Sequence, residues 1–313
     1  MMAGPAACTP RDAFWMGANV KPSDNAPWGG DKAQESLREL AATGASRAFL
    51  VAFIWQHDPA DNQPVLGSDS QPEQIRAGLR QMRQAGLKPV LKVHLWIPGH
   101  WAGDARPTDP TAWFNAYQRA VIQLVDVARQ QQVEAVIMAT ELRQLQDAPQ
   151  WPGLVAAVRK AYPGKLLYVA DSLDHAERFT RWSLFDAVAV SLYPPLPEQA
   201  SARLARMHQI AGTLRALGER EHRPVWVAEL GLRSARGSLE KPWESPEQRT
   251  AAVDLQLQAR VLQEWRRVLQ EAGIEGISIW CWYTDPQAGG ADDSDFTPQG
   301  KPARQVFARD PQR

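Results

Sequence analysis

The sequence predicts a single closed (β/α)8 barrel, an α/β fold in which eight parallel strands alternate with helices. Eight short apolar runs, rich in β-branched and aromatic residues, alternate with longer amphipathic segments. No Gly/Ser-rich linker or block of charge divides the 313 residues. An open doubly wound sheet is the alternative, but MGANVKPSD at the first strand lacks the glycine-rich phosphate-binding fingerprint of that fold. The pattern therefore favours the barrel.

The predicted strands are the eight apolar runs. In chain order they cover Ala13–Val20, Arg47–Trp55, Leu87–Trp96, Val133–Glu141, Lys165–Ala170, Phe185–Tyr193, Arg223–Glu229 and Gly276–Tyr283. We expect one catalytic domain over residues 13–313, preceded by a disordered segment over residues 1–12.

The predicted helices lie between these strands. Leu204, Met207, Ile210, Leu214 and Leu217 recur every three or four residues, which is the period of an amphipathic helix. Gly218 is the predicted C-cap of that helix. Further helices are predicted over Ala33–Ala42, Gln71–Ala85, Thr111–Gln131, Leu154–Tyr162, Glu247–Ala272 and Ala303–Ala308.

Composition argues against several partners. The chain has 35 basic and 35 acidic residues, so it carries no basic field that would attract nucleic acid or an anionic membrane. No apolar run approaches the roughly 20 residues of a membrane span. We therefore expect no nucleic-acid partner and no membrane span. We also expect the protein to be a monomer.

The two cysteines, Cys8 and Cys281, are predicted to be free thiols, since two distant cysteines form neither a disulfide framework nor a metal cluster. The PAAC near the N-terminus resembles the cleavage end of a lipoprotein signal, but no charged and apolar regions precede it. Localisation stays open: the sequence as written contains no signal peptide, and a start further upstream would make the protein periplasmic or secreted.

The barrel prediction directs attention to the strand ends, because the active sites of such barrels lie at the C-terminal ends of their strands. Polar and aromatic residues at or just beyond these ends are Asn19, Lys92, His94, Trp96, Thr140, Glu141, Ser191, Tyr193, Glu229, Trp280, Trp282 and Tyr283.

Two glutamates end apolar strands in the same way. Glu141 ends predicted strand 4 and Glu229 ends predicted strand 7. A structural ion pair, for instance of Glu141 with Arg143, is the simpler interpretation of one such residue. Two carboxylates facing each other across a barrel mouth instead fit glycoside hydrolysis, where one protonates the leaving oxygen and the other attacks or activates water.

Several segments resemble one enzyme family. GLKPVLKVHLWIPGHWAG (86–103), ATEL (139–142), DAVAVSLYPPL (186–196) and AELGLRS (228–234) are similar to glycoside hydrolase family 113 of clan A, which contains retaining β-mannanases. The resemblance implies that Glu141 is the acid/base and Glu229 the nucleophile. It further implies that Tyr193 donates a hydrogen bond to the nucleophile and that Trp280 lies under the reacting sugar.

One position departs from the clan. Most members have Asn before the acid/base to bind the sugar 2-hydroxyl, whereas this sequence has Thr140, whose hydroxyl can still bond that group but with less reach.

The 13 tryptophans suit a sugar-binding site, because pyranose faces stack on indole. We expect Trp96, Trp101, Trp280 and Trp282 to contact substrate, and Trp226 and Trp265 to be structural.

Three other features could carry different chemistry. His94 has no partner at metal-ligand spacing, so we expect it to bind sugar hydroxyls and predict no metal site. Lys92 could form a Schiff base, but pairing with a carboxylate such as Glu141 is favoured. The acidic segment ADDSDF (291–296) lacks the pattern of an EF-hand and reads as a solvated lid over the cleft.

The sequence thus predicts a retaining glycoside hydrolase that acts on a β-linked polysaccharide or oligosaccharide, possibly of mannan type, and needs no cofactor. Asn19, Lys92, His94 and Thr140 are grouped with the aromatic residues as candidate substrate contacts. Two alternatives remain: a carbohydrate-binding or scaffold protein on an unproductive barrel, and a Schiff-base lyase that uses Lys92.

Overall fold

Eight parallel strands form a closed barrel, as the sequence predicts. The computed structural model describes residues 14–308, so the predicted segment 1–12 and Cys8 lie outside the described residues. The strands are β1 Trp15–Lys21, β2 Arg47–Trp55, β3 Lys88–Trp96, β4 Ala135–Thr140, β5 Lys165–Ala170, β6 Val188–Leu192, β7 Val225–Leu230 and β8 Gly276–Tyr283. β1 pairs with both β2 and β8, which closes the barrel. A two-residue strand, Val65–Leu66, pairs antiparallel with the end of β2.

Helices cover the outside of the barrel. They are α1 Asp31–Ala42, α2 Pro72–Gln84, α3 Pro110–Gln130, α4 Trp151–Ala161, α5 Leu173–Arg178, α6 Ala200–Glu221 and α7 Leu255–Glu271, with a 3-10 helix over Pro302–Phe307. The short helix α5 and the strand Val65–Leu66 are absent from the sequence prediction. Within the described residues, no helix has the length and apolarity needed to cross a membrane.

Two predicted helix ends were wrong. α6 continues past Gly218 and ends before His222, which takes the left-handed conformation. A Cβ at residue 218 would lie 2.5 Å from Val225 Cγ2, so this glycine allows α6 to approach β7 closely. α7 begins at Leu255 and not at Glu247, because the Asp254 side chain caps it by accepting a hydrogen bond from the Leu257 amide.

The core has two layers. Inside the barrel, Trp15, Phe49 and Trp226 pack with ring centroids 4.9–6.1 Å apart. The larger layer lies between strands and helices and includes Trp265 of α7. The structural roles predicted for Trp226 and Trp265 are therefore confirmed. These aromatic rings fill the lower part of the barrel and leave its C-terminal end to polar side chains.

Register shifts cluster near the C-terminal ends of the strands. They occur between β1 and β8, β4 and β5, β6 and β7, and β7 and β8. A bulge turns the following side chains to the opposite face of a strand. Strict alternation would place Glu229 on the outer face with Val225 and Val227, whereas the shift between Val227 and Leu230 lets it point into the barrel mouth.

Candidate active site

Glu229 lies in β7 at the mouth of the barrel and is 4% exposed. Lys92 of β3 forms an ion pair with its Oε1. The Tyr193 hydroxyl donates a hydrogen bond to Oε2 at 3.1 Å, so the predicted contact between these two residues is present. Each carboxylate oxygen of Glu229 therefore has its own donor, and one of the two donors is a cation.

Lys92 and Asn19 form a polar layer in contact with Glu229. Both side chains are fully buried, and Lys92 Nζ donates to Asn19 Oδ1 at 2.9 Å. The Asn19 amide donates in turn to Ala228 O at 3.0 Å and to Ser278 Oγ at 2.9 Å. Burial lowers the pKa of Lys92, while the charge of Glu229 opposes that change. The Lys92 ammonium, which extends from β3, is thus held by Asn19 of β1 and Glu229 of β7.

Two predictions on this layer were wrong. The carboxylate that pairs with Lys92 is Glu229 and not Glu141. Asn19 and Lys92 were expected to contact substrate, but neither exposes surface to it. The inward faces of β1 and β3 place them next to Glu229, where their hydrogen bonds hold the carboxylate. The same contacts disfavour Schiff-base chemistry, which needs an accessible and uncharged amine.

Glu141 follows β4 in an unusual backbone conformation. Its φ is +60°, which is costly for a residue with a side chain, and its amide donates to Val169 O of β5 at 2.8 Å. Trp101 Nε1 donates to Glu141 Oε2 at 2.6 Å. Arg143 does not pair with Glu141; it forms an ion pair with Asp171 and lies 4.5 Å from the centre of the Trp101 ring.

The pKa of Glu141 is raised to about 7, first by burial and second by the negative charge of Glu229. The neighbouring Ser191 hydroxyl, the Trp101 indole and the Lys92 cation act in the opposite direction but do not cancel this effect. Glu141 is therefore about half protonated near neutral pH and mostly protonated below it. A carboxyl group that keeps a proton near neutral pH is what general acid catalysis needs.

Aromatic rings form one wall of the mouth. Trp280 of β8 is partly buried, and Lys92 Nζ and Lys21 Nζ each lie 5.4 Å from its ring centre. The His94 ring is 6.4 Å from Trp280, and burial lowers the pKa of His94. Trp96 is 45% exposed at the end of β3. The mouth therefore combines flat apolar faces with two carboxyl groups, which suits a sugar ring.

A family model described as Glycoside Hydrolase Family 113 matches residues 20–301, which include Lys92, Glu141, Tyr193, Glu229 and Trp280. The chain belongs to glycoside hydrolase family 113. No curated protein matches it. Its resemblance to that family, first noted in short segments, is thus confirmed over most of the chain, and the protein is a glycoside hydrolase.

Solved structures of other enzymes share the fold of this family 113 hydrolase. The β-mannanase AaManA from Alicyclobacillus acidocaldarius is 23% identical, with a TM-score of 0.81 and coverage of 94% of this chain and 96% of that one. A family 113 β-1,4-mannanase is 20% identical, with a TM-score of 0.83 and coverage of 94% and 97%. Fungal β-1,4-galactanases reach 16% identity and a TM-score of 0.60, with coverage of 94% and 98%.

Thr140 of the hydrolase does not have the position expected of a substrate contact. Its side chain is fully buried, and its hydroxyl donates to Val93 O of β3 at 3.0 Å. Because the side chain is buried and its hydroxyl hydrogen is used within the sheet, Thr140 has no donor left for the sugar 2-hydroxyl, and its predicted contact with substrate is not supported. This residue joins β3 to β4 near the mouth.

Trp282 was predicted to contact substrate, and this prediction was wrong. Strict alternation would place it on the same side as Trp280, but the register shift between β1 and β8 pairs Val20 with Trp282 and turns the ring outwards. It is 2% exposed, donates to Ser36 Oγ of α1 at 2.8 Å and packs against Phe307. The sequence does not reveal this bulge.

Two aromatic residues of the hydrolase were missed. Phe53 and Trp55 end β2 and stand beside His94 and Trp96 of β3 in register. The sequence contained the signal, because both continue the alternation that places Phe49 inside the barrel. Trp101, placed beyond β3 by the sequence, contacts Glu141 directly.

The acidic segment is anchored by several contacts. Asp293 pairs with Lys301, and Asp295 accepts a hydrogen bond from the Tyr283 hydroxyl at 2.7 Å. Phe296 packs edge-on against Tyr193, with ring centroids 6.3 Å apart. The segment supports the Glu229 side of the mouth.

Over residues 14–308, no group of three or more His, Cys, Asp or Glu side chains is arranged to hold a metal ion. Cys281 is a buried free thiol, and burial raises its pKa to about 12.

Proposed function

We propose that this protein is a retaining glycoside hydrolase in which Glu229 is the nucleophile and Glu141 the general acid/base. The observation that carries the proposal is the unequal support of two buried carboxyl groups at one mouth. Glu229 has a cation and a phenol as partners, whereas Glu141 has no ion-pair partner among residues 14–308 and its pKa is about 7. One group is thus prepared to attack and the other to protonate.

The reaction would proceed in two steps. In the first, Glu229 attacks the anomeric carbon while Glu141 transfers its proton to the departing glycosidic oxygen, which leaves a glycosyl ester on Glu229. In the second, Glu141, now ionised, takes a proton from water, and that water displaces Glu229 from the anomeric carbon. Configuration is retained because the carbon is inverted twice. Glu141 carries out both proton transfers and Glu229 forms and releases the ester, so the reaction needs no cofactor.

Lys92 and Tyr193 would be positioning residues in these steps. Negative charge leaves Glu229 as the ester forms and returns as the ester breaks. Lys92 contacts one oxygen and Tyr193 the other, so both fix the direction of attack without rearranging. Asn19 holds Lys92 in place. Trp280 and His94 would contact the reacting sugar, and Trp101 would keep the Glu141 carboxyl aimed at the leaving oxygen.

The proposed substrate is a β-linked mannan or manno-oligosaccharide, degraded by a monomer whose catalytic domain includes the whole described barrel. Two enzymes that share the fold are a β-mannanase and a β-1,4-mannanase. The proposal needs its own test at the sugar C2 position, because Thr140 bonds to the sheet and leaves the sugar 2-hydroxyl to other partners.

Release of reducing ends tests the activity. Purified full-length protein would be incubated with mannan, glucan, xylan and galactan, and we expect the largest release from mannan. A carbohydrate-binding scaffold would instead bind mannan in affinity electrophoresis without releasing reducing ends. Release from none of the four polymers would count against hydrolysis.

Covalent trapping tests the nucleophile. A 2-deoxy-2-fluoro-β-mannosyl fluoride should inactivate the enzyme and leave a fluoroglycosyl group on the peptide that contains Glu229, detected by mass spectrometry. Lys92→Met is the control, since a label on the amine of Lys92 would disappear in that variant, while a label on Glu229 would still form, although more slowly. Labelling of any other residue would overturn the assignment.

A further inference from the structure

Two tryptophans at the rim of the mouth have unusually large exposed surfaces. Trp55 of β2 is 39% exposed and Trp96 of β3 is 45% exposed. One exposed aromatic residue needs no explanation, but adjacent ones beside an active site are typical of a binding surface. The two are paired in register across neighbouring strands, with ring centroids 6.1 Å apart.

These rings are connected to the candidate catalytic centre by other rings. Trp96 lies 5.8 Å from Phe53, Phe53 lies 6.1 Å from His94, and His94 lies 6.4 Å from Trp280. We call these five residues, Trp55, Trp96, Phe53, His94 and Trp280, the aromatic track. The track begins where the reacting sugar would lie and ends at the rim, so it leads outwards from the site.

The outer end of the track is held in a fixed place. The strand Val65–Leu66 pairs with the last residues of β2 and so continues the sheet next to Trp55. Gly67 follows directly, and a Cβ at that position would lie 2.4 Å from Asp69 Oδ1 and 2.6 Å from both Cδ1 and Nε1 of Trp55. The glycine therefore leaves room for the indole. A ring that is both exposed and fixed loses little conformational entropy when a ligand stacks on it.

We propose that Trp55 and Trp96 form a binding platform for sugar units of a β-linked glycan chain beyond the unit being cleaved. The inference rests on the proposed function for the identity of the chain. Its physical basis is the flat apolar face of a pyranose, which stacks on an indole, together with the continuity of the rings from Trp280 to the rim. The platform would favour long chains over short ones.

The platform can be tested separately from catalysis by measuring how tightly a catalytically inactive variant binds oligosaccharides. In full-length Glu229→Ala, mannohexaose binding would be measured by isothermal titration calorimetry, with cellohexaose as a second probe. Adding Trp55→Ala or Trp96→Ala should raise the Kd for mannohexaose about tenfold, a typical loss for a central aromatic contact. Trp55→Phe and Trp96→Phe should restore most of the affinity. Gly67→Ala, which displaces the Trp55 ring without removing it, should weaken binding in the same way.

Matched controls define the specific outcome. Trp243, which is 51% exposed in the loop between β7 and α7, lies outside the track, so Trp243→Ala should leave the Kd unchanged. In the otherwise unsubstituted enzyme, Trp55→Ala should raise KM for mannohexaose by a larger factor than KM for an aryl β-mannoside, which is too short to reach the platform. Failure of the proposed function would appear separately, as absent hydrolysis with retained hexaose binding.

Three results would overturn the platform. The first is that adding Trp55→Ala or Trp96→Ala to Glu229→Ala leaves the Kd unchanged for both mannohexaose and cellohexaose. Trp243→Ala could weaken binding as much as the track substitutions. Finally, sedimentation could show a dimer that Trp96→Ala dissociates and that mannohexaose does not disturb, which would make the two rings a contact between copies of this chain.

Discussion

The surroundings of Glu229 and Glu141 differ although both are buried glutamates at one barrel mouth. Glu229 lies within β7 and accepts from Lys92 and Tyr193. Glu141 lies just after β4 with φ at +60°, accepts from the neutral indole of Trp101 and is adjacent to the negative charge of Glu229. A fixed cation compensates the Glu229 carboxylate, and none within the described part of the chain pairs with Glu141. The two side chains thereby differ in their surroundings, and the charge of Glu229 helps to keep a proton on Glu141, as the proposed reaction requires.

Loss of the cation should have the largest effect. Lys92→Met leaves Glu229 buried without its ion pair, and removing one partner of a buried pair costs about 3–5 kcal/mol of folding stability. We also expect kcat/KM to fall by about 10²-fold or more, because removing one preorganised donor from a catalytic site typically lowers kcat by about 10²- to 10³-fold. Steady-state kinetics with an aryl β-glycoside would measure this, and Lys92→Arg should restore part of the rate.

Lys301 provides the matched control for Lys92. It is also a buried lysine with a carboxylate partner, Asp293, but it supports the acidic segment. Lys301→Met should lower the thermal midpoint of unfolding without a comparable loss of kcat/KM. Equal losses of activity in the two methionine variants would mean that Lys92 only stabilises the fold.

Tyr193→Phe removes the second donor to Glu229 and should have an intermediate effect. Hydrogen bonds to charged groups are worth about 1.5–3 kcal/mol, which corresponds to a loss of about 10- to 100-fold in kcat/KM. Tyr117→Phe is the control, because the buried Tyr117 hydroxyl donates to Met138 O at 2.9 Å, away from Glu229. A Tyr193→Phe enzyme as active as Tyr117→Phe would contradict the positioning role.

Trp101→Phe should shift the pH profile more than it lowers the rate. The Trp101 indole lowers the pKa of Glu141, so its loss should raise that pKa above about 7. A general acid works only while protonated, so kcat/KM of the unsubstituted enzyme should fall as pH rises through about 7. In the variant this fall should occur at higher pH. Trp182→Phe, which loses an indole bond to Ala176 O, should keep the original profile.

Thr140→Val should have the smallest effect on activity. The variant loses the hydrogen bond to Val93 O, which should lower the free energy of unfolding by about 0.5–1.5 kcal/mol. Because the Thr140 hydroxyl does not face the sugar, the ratio of kcat/KM between an aryl glycoside and its 2-deoxy analogue should stay the same. A change in that ratio would show that Thr140 recognises the sugar 2-hydroxyl after all.

The difference between the two glutamates also marks how far the sequence could predict the site. Apolar runs that end in Glu141 and Glu229 predict the strands and their ends, because a buried strand is a local pattern. The partner of Lys92 lies across the barrel, and the alternation that places Lys92 inside does not tell which carboxylate it meets. The bulge that turns Trp282 outwards adds one residue to β8, and no residue type announces it.

Azide rescue tests the assignment of the two glutamates most directly. Glu141→Ala should lose activity by about 10²- to 10⁴-fold on substrates with poor leaving groups. With an aryl β-glycoside and azide, it should regain turnover and release a β-glycosyl azide, because azide displaces the sugar from Glu229. Glu229→Ala should yield an α-glycosyl azide, because azide attacks the substrate directly. The reverse pairing of products with variants would exchange the two roles, and unchanged activity on the natural substrate in either variant would remove that residue from the mechanism.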